Sequence, residues 1–128
     1  MNYVILFSLE SLIGADGEPD PAAATIYNMV ATQARVLGHA IREAKLEDAT
    51  PFVDIFTDKP ESDRIKIMDW LRTNDIDAPR KLRLGLDPIG DDRVLAVFDN
   101  VPERIAIWRG AGAMCFEGNV VQKIVLQS

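Results

Sequence analysis

Cysteine and histidine are nearly missing from this chain: Cys115 and His39 are the only ones. A lone cysteine excludes an intrachain disulfide. One cysteine with one histidine also excludes zinc sites of the Cys/His type. Basic residues are outnumbered, 14 Lys and Arg against 20 Asp and Glu, which leaves a net charge of −6. Surfaces that grip nucleic acid carry a basic stripe, so a polynucleotide partner is not expected. A few local cations would still hold a small phosphorylated ligand. No apolar run approaches the roughly 18 residues that a membrane span requires. The short N-terminal apolar stretch lacks the basic flank of a signal peptide, so neither membrane nor export is expected and the cytoplasm is the expected location. Repeats, low-complexity tracts and linkers are absent too. The 128 residues are expected to form one domain, 1–128, with a real core.

What is present is alternation. Residues 3–7, "YVILF", are apolar throughout and too short for a helix, so they predict a strand. "GADGEPD" is turn chemistry. Asp20-Pro21 reads as an N-cap followed by proline in the first turn of a helix. That helix is expected over about 21–47, with Ile26, Val30, Ala34, Leu37, Ile41 and Ala44 on its inner stripe and His39 on its outer face. A second strand is expected over 52–57, then a helix through about Asn74 carrying Ile65, Ile67, Met68, Trp70 and Leu71. Further strands are expected near 82–86, 94–98 and 113–116. A helix starting at Pro102 packs inward through Val101, Ile105 and Trp108 and stops at "RGAG". Residues 120–126 read equally as an edge strand or a last helical turn.

Apolar strands between amphipathic helices predict an α/β fold: a Rossmann-like three-layer α/β/α sandwich around a mostly parallel five-stranded sheet. Such sheets bind ligands beyond the carboxyl ends of their central strands. The residues at those ends are Ser8 and Glu10, Thr57 and Asp58, and Asp99 and Asn100.

With these positions in view, the chain resembles the haloacid dehalogenase superfamily, whose members are commonly magnesium-dependent phosphatases. The family's first motif is an apolar strand followed by Asp-x-Asp-Gly-Thr-Leu. Here "YVILF" is followed by Ser8, Leu9, Glu10, Ser11, Leu12 and Ile13. A strand ending in Ser or Thr, the second motif, is similar to "VDIFTD" with Thr57. Lys81, with Arg80 beside it, resembles the third, basic motif, and "LAVFDN" with Asp99 resembles the fourth. Residues 94–119 are similar to the end of the phosphatase domain of phage-type polynucleotide kinases. The resemblance implies a central first strand flanked by the fourth, Ser8 facing Asp99, no cap domain, and "GADGEPD" as a small flap.

The departures from the motif bear on chemistry. In the family the first aspartate attacks phosphorus and binds magnesium, and the second acts as general acid and base. Ser8 stands at the first position and is a weak nucleophile without an adjacent base. Its substitution also removes a carboxylate from the metal site, leaving Asp99 as a weak magnesium ligand. Glu10 is one methylene longer than the family's acid, and Leu12 replaces a phosphate-binding hydroxyl. Each candidate also has a plain structural reading: Asp99 as a helix cap or turn, Thr57 as a helix entry, Lys81 as a solvated lysine, and Cys115 as a small apolar residue.

The expectation is therefore a haloacid-dehalogenase-like fold without phosphatase activity, acting as a binding or regulatory module. Its partner would be a protein or a small phosphorylated ligand. Ser8, Glu10, Thr57, Lys81 and Asp99 would be motif positions that have lost their chemistry, with no cofactor, or magnesium if a residual site persists. The alternatives are a magnesium-dependent phosphohydrolase acting on a phosphorylated nucleotide or nucleic-acid end, and an unrelated doubly wound domain. Oligomeric state is not encoded in any feature of the chain.

Overall fold

The computed structural model describes residues 3–44, 51–85 and 92–117. The elements run β1 (Tyr3–Ser8), α1 (Leu9–Leu12), α2 (Pro21–Glu43), β2 (Phe52–Thr57), α3 (Arg64–Thr73), β3 (Leu82–Leu84), β4 (Arg93–Asp99), α4 (Pro102–Gly110) and β5 (Met114–Glu117), with a 3₁₀ turn at Glu61–Asp63 leading into α3. This is the expected alternation with one addition, the single-turn α1. The segment 120–126, the turn at 87–91 and the far end of the first long helix lie outside the described residues.

The five strands form one sheet in the order β3-β2-β1-β4-β5, with every pairing parallel. β1 is the central strand and β4 lies beside it, as the resemblance implies. Successive strand residues point to opposite faces, and the core divides accordingly. On one face Phe7, Val53, Ile55, Leu82 and Leu84 pack with Leu9 and Leu12 of α1, Ile26 and Tyr27 of α2, and Ile67 and Leu71 of α3. On the other face Val4, Leu6, Phe56 and Val97 pack with Trp108 of α4. The architecture is a Rossmann-like α/β sandwich, and among the described residues no cap domain interrupts it.

Asp20 caps α2 as its sequence predicts, its Oδ1 accepting the Ala22 and Ala23 N–H groups at 3.0 and 3.3 Å. The inner stripe of α2 differs from expectation. Leu37 is 53% exposed and Ala44 is exposed, while Ala23, Tyr27, Ala31 and Gly38 are buried. Small residues at this line let the helix seat close to the strands, and Tyr27 fills the space between them, its hydroxyl donating to the Asp77 carbonyl at 2.8 Å. Ile65 also faces out, 77% exposed, because α3 presents Ile67 and Leu71 to the sheet instead. His39 is exposed, as predicted. No helix among the described residues is long and apolar enough to cross a membrane.

Candidate functional site

The parallel register brings three strand ends together. Ser8 pairs with Phe56 at the end of β2, and Phe7 pairs with Phe98, one residue before Asp99 on β4. Ser8, Thr57 and Asp99 are all buried at this carboxyl edge. Glu10 joins them from α1, which turns immediately after β1.

Ser8 is the N-cap of that turn. Its Oγ accepts the Ser11 N–H at 3.0 Å, and Ser11 Oγ donates back to the Ser8 carbonyl at 2.7 Å. A serine hydroxyl at an N-cap satisfies a helix N–H that would otherwise lack a partner. Thr57 Oγ1 donates to Glu10 Oε1 at 2.7 Å and accepts the Lys59 N–H at 3.3 Å. The extra methylene of Glu10 thus carries its carboxylate across to the end of β2.

Asp99 closes the turn after β4: its Oδ1 accepts the N–H groups of Asn100 and Val101 at 2.8 and 3.2 Å. The N-cap of α4 is Val101, without a side-chain bond, so Asp99 serves a turn and not the cap itself. Its main partner is Arg104, a residue that sequence reasoning missed. Arg104 Nε donates to Asp99 Oδ2 and Nη2 to Oδ1, both at 2.8 Å, a bidentate pair. The same guanidinium reaches Asp58 Oδ2 at 2.9 Å through Nη1, and lies 3.3 Å from Glu10 Oε2 through Nη2. Phe56 lies beneath it, ring centroid 5.2 Å away. Burial opposes the charge on Arg104, but the hydrogen bonds and charges of Asp99 and Glu10 outweigh burial and raise its pKa. The available signal was an arginine in the first turn of a helix, where the dipole disfavours a cation.

Magnesium requires several oxygen ligands in near-octahedral array. Here the Ser8 hydroxyl accepts from Ser11, both Asp99 oxygens bind Arg104, and the Glu10 carbonyl accepts Asn100 Nδ2 at 3.1 Å. Glu10 Oε2 is the one buried side-chain oxygen among the described residues without a hydrogen-bond donor. Among the described residues no group of three His, Cys, Asp or Glu side chains is arranged to hold a metal ion. The donor set does not fit magnesium.

The remaining candidates lie elsewhere. Lys81 is exposed and precedes β3. Leu84 is the residue of β3 opposite Thr57, so Lys81 starts three residues, about 10 Å, behind the site. Arg80 pairs with Asp54 through Nε at 2.9 Å and Nη2 at 2.6 Å, and stacks over Phe52. Cys115 is half-buried, and burial pushes its thiol pKa up, the opposite of an activated nucleophile. Beside the site a groove of about 160 Å³ opens between Leu9, Lys59, Lys66 and Trp70. A larger cavity, about 440 Å³, lies at the other end of β2 around Pro51, Phe52 and Pro79.

No protein-family model and no curated protein matches the chain. Among solved structures it is similar in fold to a chain of the "Structure of Pnkp1/Rnl/Hen1 complex", with a TM-score of 0.56 and 18% sequence identity, over 91% of this chain and 46% of that one. The chain thus spans less than half of the length of that neighbour.

Proposed function

We propose that this chain is a haloacid-dehalogenase-like domain without phosphatase activity, acting as a binding or regulatory module. The observation that carries this reading is the state of Ser8, at the position of the family's attacking carboxylate. Its side chain is buried and committed to capping α1. A nucleophile needs a base within hydrogen-bond reach, and the partner that Ser8 Oγ has is a backbone N–H. The general-acid position is likewise engaged, since Glu10 accepts from Thr57. Asp99 stands at the family's metal position, and its carboxylate is taken by Arg104.

A fold neighbour drawn from a complex supports a protein partner for this chain. For a small phosphorylated ligand, the groove flanked by Lys59 and Lys66 supplies cations next to an apolar wall. The test is hydrolysis of a generic aryl phosphate with magnesium present. Wild type and Ser8→Ala are expected to be equally silent. Turnover by the wild type that Ser8→Ala abolishes would overturn the reading in favour of a phosphohydrolase with an atypical site. Activity appearing in the double variant Ser8→Asp, Glu10→Asp would support descent from an active phosphatase.

A further inference from the structure

We infer that Arg104 is the resident cation of this site, its guanidinium standing among Asp99, Glu10 and Asp58 in place of a divalent metal ion. This rests on the haloacid-dehalogenase-like reading only for the identity of the ion replaced. The position is built for positive charge. Asp99 is fully buried, and a buried carboxylate is stable only with a counter-charge or a full set of hydrogen-bond donors. Two further carboxylates converge on the same group, Asp58 at 2.9 Å and Glu10 at 3.3 Å. The Arg104 side chain is 12% exposed and its charge is set over the Phe56 ring.

Chemistry distinguishes this cation from a metal. A guanidinium keeps its proton throughout the accessible pH range and binds a carboxylate through a rigid planar fork. It is also tethered, so it neither dissociates nor competes with solution ions as a free ligand does. A divalent ion entering the site would have to displace it from Asp99. The helix does not explain the residue's placement, because a cation in the first turn of α4 opposes the dipole. The carboxylates do. Without Arg104, Asp58, which is 67% exposed, and Glu10 Oε2, which is paired at 3.3 Å with this guanidinium and accepts no hydrogen bond, would be free to close on a smaller ion.

The consequence is metal independence in the wild type and a latent metal site beneath Arg104. Manganese serves as the probe, read by its electron paramagnetic resonance and by thermal unfolding. The wild-type melting temperature is expected to be the same in chelator and in manganese, with no bound-ion signal. Arg104→Ala is expected to melt lower in chelator, recover in manganese and bind the ion. Adding Asp99→Asn to it removes a carboxylate that would hold the ion and weakens that binding by more than the roughly 10- to 100-fold that loss of a group merely orienting a ligand costs. Arg104→Gln, which removes the charge but keeps a donor for Asp99, provides the same test if Arg104→Ala does not fold. A wild type that binds manganese as tightly as the variants overturns the inference. So do variants that bind it no better than the wild type. The hydrolysis assay reads a different quantity, so failure of one proposal is distinguishable from failure of the other.

Discussion

Thr57 shows how a residue chosen on sequence grounds acquires a different duty in the fold. Its hydroxyl hydrogen goes to Glu10 and its lone pair takes the Lys59 N–H, so one side chain ties β2, α1 and the following loop together. Thr57→Val keeps the shape and loses both bonds. It should destabilise the protein by about 1.5–3 kcal/mol, the range for hydrogen bonds to charged groups, measured by urea unfolding. A loss near zero would mean that Glu10 finds another donor. Ser8, Glu10, Thr57 and Asp99 were legible because each sits at or just past the end of an apolar run. Lys81 sits just before a strand, and in a parallel sheet strand starts and strand ends are on opposite edges, a placement that sequence order alone does not convey. Arg104 was not legible. Its bond to Asp99 depends on how tightly the chain turns between β4 and α4.

Helix ends were the most legible elements. The "RGAG" stop is a Schellman motif: Gly112, at φ +87°, donates to the Arg109 carbonyl and Ala113 to the Trp108 carbonyl, both at 3.0 Å. α3 ends the same way, with Asp75 and Ile76 donating to Arg72 and Leu71, but Asp75 holds the left-handed conformation, φ +57°, without being glycine. That conformation costs a non-glycine residue roughly 1–2 kcal/mol. Opposite outcomes follow. Gly112→Ala should lower stability by about 1 kcal/mol, whereas Asp75→Gly should raise it by some tenths to about 1 kcal/mol. Paired denaturation curves check the signs, and a stabilising Gly112→Ala would contradict this account. The α2 stripe was less legible. Periodicity identified the helix, but sheet contact selected the small residues over Leu37.

At the scale of the whole molecule, the buried carboxylates among the described residues, Asp54 and Asp99, centre two charge networks. One is the strand-end site. The other is a buried network in which Arg83, 3% exposed, joins Asp54 at 3.0 Å to Asp92 at 2.7 Å, with Arg80 alongside. It ties β2 and β3 to the chain entering β4. Burial pushes the Asp92 carboxyl up, but the Arg83 hydrogen bond and the charges of Arg80 and Arg83 hold it below the ordinary carboxylate range. A carboxyl depressed in the folded state binds fewer protons there than when unfolded. Its contribution is therefore complete above the unfolded value, about 4, and is lost as pH falls through the lower folded value. Asp92→Asn should be less stable than wild type near neutrality, with the difference shrinking below about pH 4. Urea unfolding from pH 7 down to 2.5 measures it, and a difference constant with pH would exclude this linkage.

Local chemistry along the chain determined the α/β alternation, the apolar strands, the Asp20 cap and the glycine stop, because each depends on neighbours within a few residues. Strand-end position likewise marked four of the site residues. Tertiary structure alone decided what those residues touch. Parallel pairing around a central β1 set Ser8, Thr57 and Asp99 at one edge, left Lys81 behind it, and brought Arg104 from the next helix onto Asp99. The physical reason is range. A cap or a turn is settled by adjacent backbone groups, whereas a buried carboxylate takes whichever cation the packed elements deliver, and that choice exists only once the sheet and α4 have come together.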